Sequence, residues 1–213
     1  MKDKLNKWLN SSVINNGDTL KSTNEDILKF GSSLPSYNQS IMHEWERPIM
    51  ELDAKLVTQN SGSILNIGHG MGIIDGYIRS HNPEKHTVIE IHPQIAETAR
   101  SNGYNVFEGD WMDIVDDFIK NRIKFDGIYF DTYSFNRPEW YLFTKKVSEI
   151  LKTGGIYSYF NGDAAQAQGV EPYLKHYGWN SEVHKIDVER IRIIEETEVP
   201  ETHTHSCICW KKS

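Results

Sequence analysis

Cysteine is scarce. Only Cys207 and Cys209 occur among 213 residues, and the single residue between them places them badly for a disulfide along a regular strand. Reduced thiols are expected, and a chain of this length buries a core without disulfide or metal staples. Long apolar runs are missing too: no stretch approaches the ~18 to 20 apolar residues of a membrane span. The opening MKDKLNKWLNSS lacks the apolar centre of a signal peptide, so a cytoplasmic location is expected. Positive charge is in deficit, with 23 Lys and Arg against 30 Asp and Glu, a net charge of −7 and no long basic run. General attraction to nucleic-acid phosphates or anionic lipids therefore explains little, and neither partner is expected. A cationic substrate fits that balance better. Internal repeats and low-complexity tracts are absent as well.

What remains is an ordinary globular composition, 38% hydrophobic, 25% charged and 11% aromatic, too rich in aromatics for a disordered chain. The length suits one domain with an appendage. Residues 1–38, rich in Asn, Ser, Lys and Asp, show helix-like spacing only in short pieces and read as an arm or lid; residues 39–213 read as the main domain. From Gln39 to Gln59 the apolar residues Met42, Trp45, Ile49, Leu52 and Leu56 recur at steps of three and four, which predicts one helix kinked at Pro48. Beyond it, SILNIG, HTVIEI, YNVFEG, FDGIYFD and GIYSYFN alternate with helical stretches. Such alternation predicts a parallel sheet covered on both faces. Gly154-Gly155 reads as a helix stop, a further helix falls near 168–177, and VHKIDVERIRII with THTHSCICW reads as a terminal antiparallel hairpin.

In an open parallel sheet, ligands bind beyond the carboxyl ends of the strands, so the residues there carry the chemistry. The first strand ends in Gly68-His69-Gly70-Met71-Gly72, where missing side chains let a ligand approach the backbone; a tight strand-to-helix connection alone also accounts for such a turn. Glu90 ends the second strand twenty residues beyond Gly70, the offset at which an acid takes a nucleotide's ribose hydroxyls. Asp110-Trp111 follows the third strand, suited to flanking an adenine or equally to a helix cap with a core tryptophan. The fourth strand ends in Asp131, followed by Thr132 and Tyr133, the last placed to touch substrate; the fifth ends in Asn161-Gly162-Asp163. Acids at strand ends are often only helix caps. Glu46 borders the apolar stripe of its helix, and a buried carboxylate needs either a partner or a function. His203, His205, Cys207 and Cys209 alternate along one strand and span too far to enclose one tetrahedral metal, so no metal is expected.

Taken in order, IMHEWERPIM, LNIGHGMGIID, IEIHP, EGDWMDI, FDGIYFDTYSF and YFNGD resemble the S-adenosylmethionine-dependent guanidino N-methyltransferases. Guanidinoacetate N-methyltransferase and the fungal arginine δ-N-methyltransferase with ankyrin repeats belong there, and the resemblance covers roughly residues 38–163, closer in detail to the fungal branch. It implies a Rossmann-like class I α/β sandwich: a mostly parallel seven-stranded sheet with the antiparallel hairpin at its end. It places Met42, Met50, Gly68, Gly70, Met71, Glu90, Asp110 and Trp111 around the cofactor, S-adenosylmethionine, with His69, Gly72, Ile73, Ile91 and His92 in the same segments. By the same resemblance Glu46 and Asp131 would hold the guanidinium and carry catalysis, with Tyr133 and Asn161 also expected at the substrate. Three departures stand out: His69 replaces the family's usual phenylalanine, ankyrin repeats are absent, and residues 1–37 match nothing in the family pattern.

The implied reaction is methyl transfer to a guanidino nitrogen of arginine, free or in a peptide, or of a small guanidino compound. Asp131 is the expected proton acceptor and Glu46 the orienting partner. A nicotinamide dehydrogenase shares the glycine turn and the acid twenty residues on, but Ile73 stands where its third glycine belongs. A methyltransferase fold that only binds a partner protein is the non-enzymatic alternative. The sequence leaves the oligomeric state open, a homodimer included.

Overall fold

The computed structural model describes residues 2–23, 40–132, 139–160, 170–194 and 197–213. The chain begins with α1 (Lys2–Leu9), β1 (Val13–Asn15), β2 (Thr19–Ser22) and β3 (Ser40–His43), the three strands forming a small sheet in the order β1-β2-β3. A 3-10 turn over Glu44–Glu46 then leads into α2 (Arg47–Val57). The single helix expected over 39–59 is thus a strand, a tight turn and a helix. Pro48 does not kink α2. It lies in the first turn, where its missing amide hydrogen has no intrahelical partner to lose.

The main body runs β4 (Ser63–Ile67), α3 (Ile73–Ser80), β5 (Lys85–Glu90), α4 (Pro93–Ser101), β6 (Asn105–Glu108), α5 (Trp111–Lys120), β7 (Phe125–Phe130), α6 (Glu139–Ile150), β8 (Leu151–Tyr159), α7 (Val170–His176), β9 (Asn180–Ile194) and β10 (Thr197–Lys211). Its seven strands lie in the order β6-β5-β4-β7-β8-β10-β9. Pairings from β6 to β8 are parallel, whereas β10 runs antiparallel to both β8 and β9. This is the Rossmann-like sandwich with a terminal hairpin that the sequence led one to expect. Gly154 and Gly155 are a different matter, because α6 stops at Ile150 and β8 runs through both glycines. Gly154 takes φ 75° there, and the pair exchanges backbone hydrogen bonds with Lys212 at the end of the last strand. That departure from regular strand geometry is what a glycine permits.

Alternating strand residues feed two cores. Leu65, Ile67, Ile128, Phe130, Tyr157 and Tyr159 face α5 and α6. Ile64, Tyr129, Ile156, Cys207 and Cys209 face α2 and α3. Helix α2 sits close on the sheet because Gly127 of β7 has no side chain: a Cβ there would lie 1.9 Å from the Val57 carbonyl oxygen. Chain direction across the sheet reverses between β4 and β7. Open α/β sheets bind ligands beyond the carboxyl ends of the strands at such a reversal, and α2 packs across β7, β8 and β10 beside it.

Candidate active site

The turn after β4 passes through three left-handed glycines, Gly68 at φ 95°, Gly70 at 54° and Gly72 at 75°. Gly68 crosses the end of β7 so closely that a Cβ would fall 1.7 Å from the carbonyl oxygen of Asp131. The first glycine of the motif therefore sets Asp131 beside the turn. Gly70 lies under Met42, whose Sδ would be 2.9 Å from a Cβ there and accepts a hydrogen bond from the Met71 amide at 3.3 Å.

Glu90 ends β5 and is only 6% exposed. Its two carboxylate oxygens accept backbone hydrogen bonds at 2.8 Å from His69 and from His92, so one acid ties the glycine turn to the start of α4. Burial raises its pKa, and those two amide donors oppose the shift. Ile73 opens α3, and Ile91 is half-buried just after Glu90. The His92 ring turns away from Glu90 toward the arm, 4.4 Å from the Trp8 ring with Nε2 3.2 Å from the Ser11 carbonyl. Asp110 caps α5 by accepting from the Met112 amide, and Trp111 packs edge-on against Phe130 and Phe143.

Glu46 closes the 3-10 turn at 7% exposure, one carboxylate oxygen accepting from the His43 amide at 3.0 Å. Burial, reinforced by the charge of Asp131, pushes its pKa up to about 8. Asp131 is pushed up to about 7 by burial and then by the charge of Glu90. The two acids that the sequence singled out, 85 positions apart, thus come near enough for the charge of Asp131 to act on Glu46 and that of Glu90 on Asp131. Among the described residues no lysine or arginine forms an ion pair with any of the three. Tyr133 and Asn161 lie outside the described residues.

Sequence reasoning named Met50 and His69 but missed the acids buried with them, which fall into two sets. Asp53 of α2 is fully buried, accepts a hydrogen bond from Ser158 at 2.7 Å and is driven by burial to a pKa of about 7. Its signal was available, a carboxylate inside an apolar helical stripe, as with Glu46. Met50, also fully buried, takes a hydrogen bond on Sδ from Tyr129 at 3.5 Å. The second set lies beneath the glycine turn, where Asp75 meets His69 Nδ1 at 2.6 Å, His86 Nε2 at 2.8 Å and the Asn66 amide at 2.8 Å. Burial alone would raise the Asp75 pKa, but the two histidines hold it below the usual carboxylate range. Only the tertiary fold brings residues 66, 69, 75 and 86 together.

A model of the guanidinoacetate N-methyltransferase family matches residues 18–201. The chain belongs to that family. Glu46, the glycine turn, Glu90 and Asp131 all lie inside the matched span. Among relatives, protein arginine N-methyltransferase 2 of Aspergillus oryzae is 36% identical over 136 residues, which cover 60% of this chain and 33% of that protein. Protein arginine N-methyltransferase 2 of Yarrowia lipolytica is 32% identical over 177 residues, covering 74% and 37% respectively. The chain therefore spans little more than a third of the length of the curated relatives it matches. Among solved structures, a precorrin-6y C5,15-methyltransferase from Geobacter metallireducens aligns with a TM-score of 0.59 at 17% identity, over 89% of this chain and 95% of that one. At that identity the likeness speaks for the fold. The guanidinoacetate N-methyltransferase family is thus carried here on a methyltransferase sandwich.

Proposed function

We propose that the chain transfers a methyl group from S-adenosylmethionine to a guanidino nitrogen of arginine or of a small guanidino compound. The observation that carries this reading is that Glu46 and Asp131, two acids held well above the usual carboxylate range by burial and by neighbouring acidic charge, form no ion pair with a lysine or arginine among the described residues. Like charges confined together hold their protons until a cation arrives. A planar guanidinium is a cation whose fork matches paired carboxylates.

The residues also fit the cofactor. Gly68, Gly70 and Gly72 leave backbone uncovered at the start of α3, Glu90 offers a ribose a buried carboxylate, and the buried Thr132 hydroxyl has no hydrogen-bond partner among the described residues. Bound there, S-adenosylmethionine would supply an electrophilic methyl group on a sulfonium. Everything else falls to the chain. A guanidinium has a pKa of ~12.5 to 13.8 and little free lone pair, so the acceptor nitrogen must be aligned and relieved of a proton as the bond forms. Glu46 holds the fork and Asp131 takes the proton. Both carboxylates stabilise positive charge where it develops. We further read residues 1–38 as a lid: Val13 exchanges two backbone hydrogen bonds with the Gln94 side chain, at 3.0 and 2.9 Å, and Trp8 lies on His92, both beside Glu90. The two free, buried cysteines suit a cytoplasmic setting, and among the described residues no helix is long and apolar enough to cross a membrane.

A methyl-transfer screen over arginine, guanidinoacetate, agmatine and an arginine peptide, with the methylated nitrogen assigned by fragmentation, tests the reading. No transfer to any guanidino compound, or tighter calorimetric binding of NAD than of S-adenosylhomocysteine, would overturn it. Replacing Glu90 by alanine should weaken S-adenosylhomocysteine binding by about 10- to 100-fold, the worth of hydrogen bonds to a charged acceptor. Calorimetry giving an unchanged dissociation constant would remove Glu90 from the ribose.

The raised carboxyl pKa values set a pH dependence. Cation binding requires the ionised forms, so affinity for the preferred guanidino compound should rise with pH, by about tenfold per unit for each proton that must leave, and flatten above about 8. Stability runs the other way. Glu46, Asp53 and Asp131 bind protons more tightly folded than unfolded, so their contribution is fully present below pH 4 and is lost as pH rises to about 8. A bound guanidino ligand should consequently raise the melting temperature more at pH 8 than at pH 6. An equal shift at both values would show that the acids do not face the ligand.

A further inference from the structure

We propose that Glu182, His184 and Cys209, none of them assigned to methyl transfer, form a zinc site at the foot of the terminal hairpin. The antiparallel register sets Cys209 of β10 directly opposite Glu182 of β9, with His184 two residues further along β9 and so on the same face. One ligand atom from each of the three lies within 4.8 Å of the other two. The carboxylate of Glu182 stands 3.5 Å from His184 Nε2, a nitrogen shielded from solvent that makes no hydrogen bond among the described residues. Donors sharing a tetrahedral zinc with bonds of ~2.0 to 2.3 Å stand about 3.4 to 3.6 Å apart. The carboxylate–imidazole pair already has that spacing, and Glu182, an exposed side chain, has the freedom to close on the sulfur.

The donor set selects the metal. One thiolate, one imidazole and one carboxylate make a borderline-soft set that suits zinc, whereas calcium and magnesium take oxygen ligands alone. Three protein ligands leave the fourth position to water. Cys209 is a free thiol at 5% exposure, and burial pushes its pKa up to about 11. Binding therefore breaks the S–H bond, forms the S–Zn bond and releases one proton to solvent.

The alternation of His203, His205, Cys207 and Cys209 concealed this site, because ligands strung along one strand cannot enclose an ion. The fold redistributes them: the His205 ring stacks on Phe160 at 5.5 Å, while Cys207 lies beside Asp53. Cys209 finds its partners across the ladder instead. Cys209 also pairs with Ser158 of β8, so a metal there would fasten the edge strand β9 where the hairpin joins the parallel sheet.

Cobalt(II) titration of the purified, untagged chain provides the test, together with equilibrium dialysis against zinc. One equivalent of cobalt should produce a thiolate-to-cobalt charge-transfer band that zinc abolishes, and dialysis should retain one equivalent of zinc. His184→Ala and Glu182→Gln alter accessible edge-strand side chains that the fold does not need, and each should lower zinc affinity at least tenfold. Cys209→Ser should remove the band, and Cys207→Ser should keep it. Absence of a thiolate band, its survival in Cys209→Ser, or unchanged zinc affinity in His184→Ala would overturn the site.

Discussion

Asp131→Asn should reduce turnover by at least about a thousandfold while leaving S-adenosylhomocysteine affinity within about threefold. The asymmetry follows from position. Asp131 follows directly on β7 at the switch in strand order, where its backbone amide is held by the Ile67 carbonyl at 2.9 Å, so an isosteric amide should sit in the same place. On the proposed function, what changes is the ability to take a proton from the acceptor nitrogen, and a positioned general base contributes roughly 10² to 10⁴ in rate. Loss of the second carboxylate that steadies the guanidinium adds to that. Stability separates this from simple damage to the fold. Wild-type Asp131, Glu46 and Glu90 repel one another once ionised, so an uncharged amide should leave the melting temperature at pH 8 unchanged or higher. Full turnover in the variant would remove Asp131 from the reaction, and a melting temperature that falls with the activity would assign it to the scaffold.

The strands, their alternation with helices and the terminal hairpin were legible because each depends on short-range pattern. A strand buried on both faces reads as a continuous apolar run, as in SILNI and FDGIYF, and the glycine turn announces itself by composition. The expectation failed where a local signal has two structural meanings. Apolar spacing of three and four over 42–56 survives when the first residues are a strand and a 3-10 turn, since Met42 and Trp45 still approach the same core. Paired glycines stop a helix or let a strand leave regular geometry, and only the neighbouring strand's Lys212 decides between them at Gly154.

The candidate site was legible to the extent that its residues end predicted strands or interrupt an apolar stripe. Asp53 carried the same mark as Glu46, yet the two differ in what surrounds them. Ser158 gives Asp53 a hydrogen bond inside the core, whereas among the described residues Glu46 has only the His43 amide and feels the charge of Asp131. On the proposed function, that difference separates an acid that braces the core from one that awaits a ligand, and no spacing rule expresses it. The trio of Asp75, His69 and His86 is a further case. Asp75 reads as a favourable acid in the first turn of α3, and its two histidines become visible only once β4, β5 and α3 are packed.

Gly68→Ala should be the most damaging single-methyl change in the turn, costing about 3 to 5 kcal/mol, a magnitude that buried steric conflicts reach. The added Cβ would lie 1.7 Å from the Asp131 carbonyl oxygen, and φ of 95° is already a conformation that L residues avoid. Relief requires β4 and β7 to part, yet the parallel ladder from Ile64 to Ile67 holds them together. Gly70→Ala offers the contrast. Its Cβ would meet Met42 Sδ at 2.9 Å, the far end of a flexible side chain, and its φ of 54° is ordinary left-handed backbone. About 1 to 2 kcal/mol is expected there, mostly from the backbone. At ~2 to 4 °C per kcal/mol for a chain of this size, thermal melts should separate the two by several degrees. Gly68→Ala should also lose S-adenosylhomocysteine binding, because parting the strands moves Asp131, Thr132 and the turn together. Equal melting temperatures for the two variants, with cofactor affinity retained in Gly68→Ala, would show that the turn does not hold β7 in register with the site.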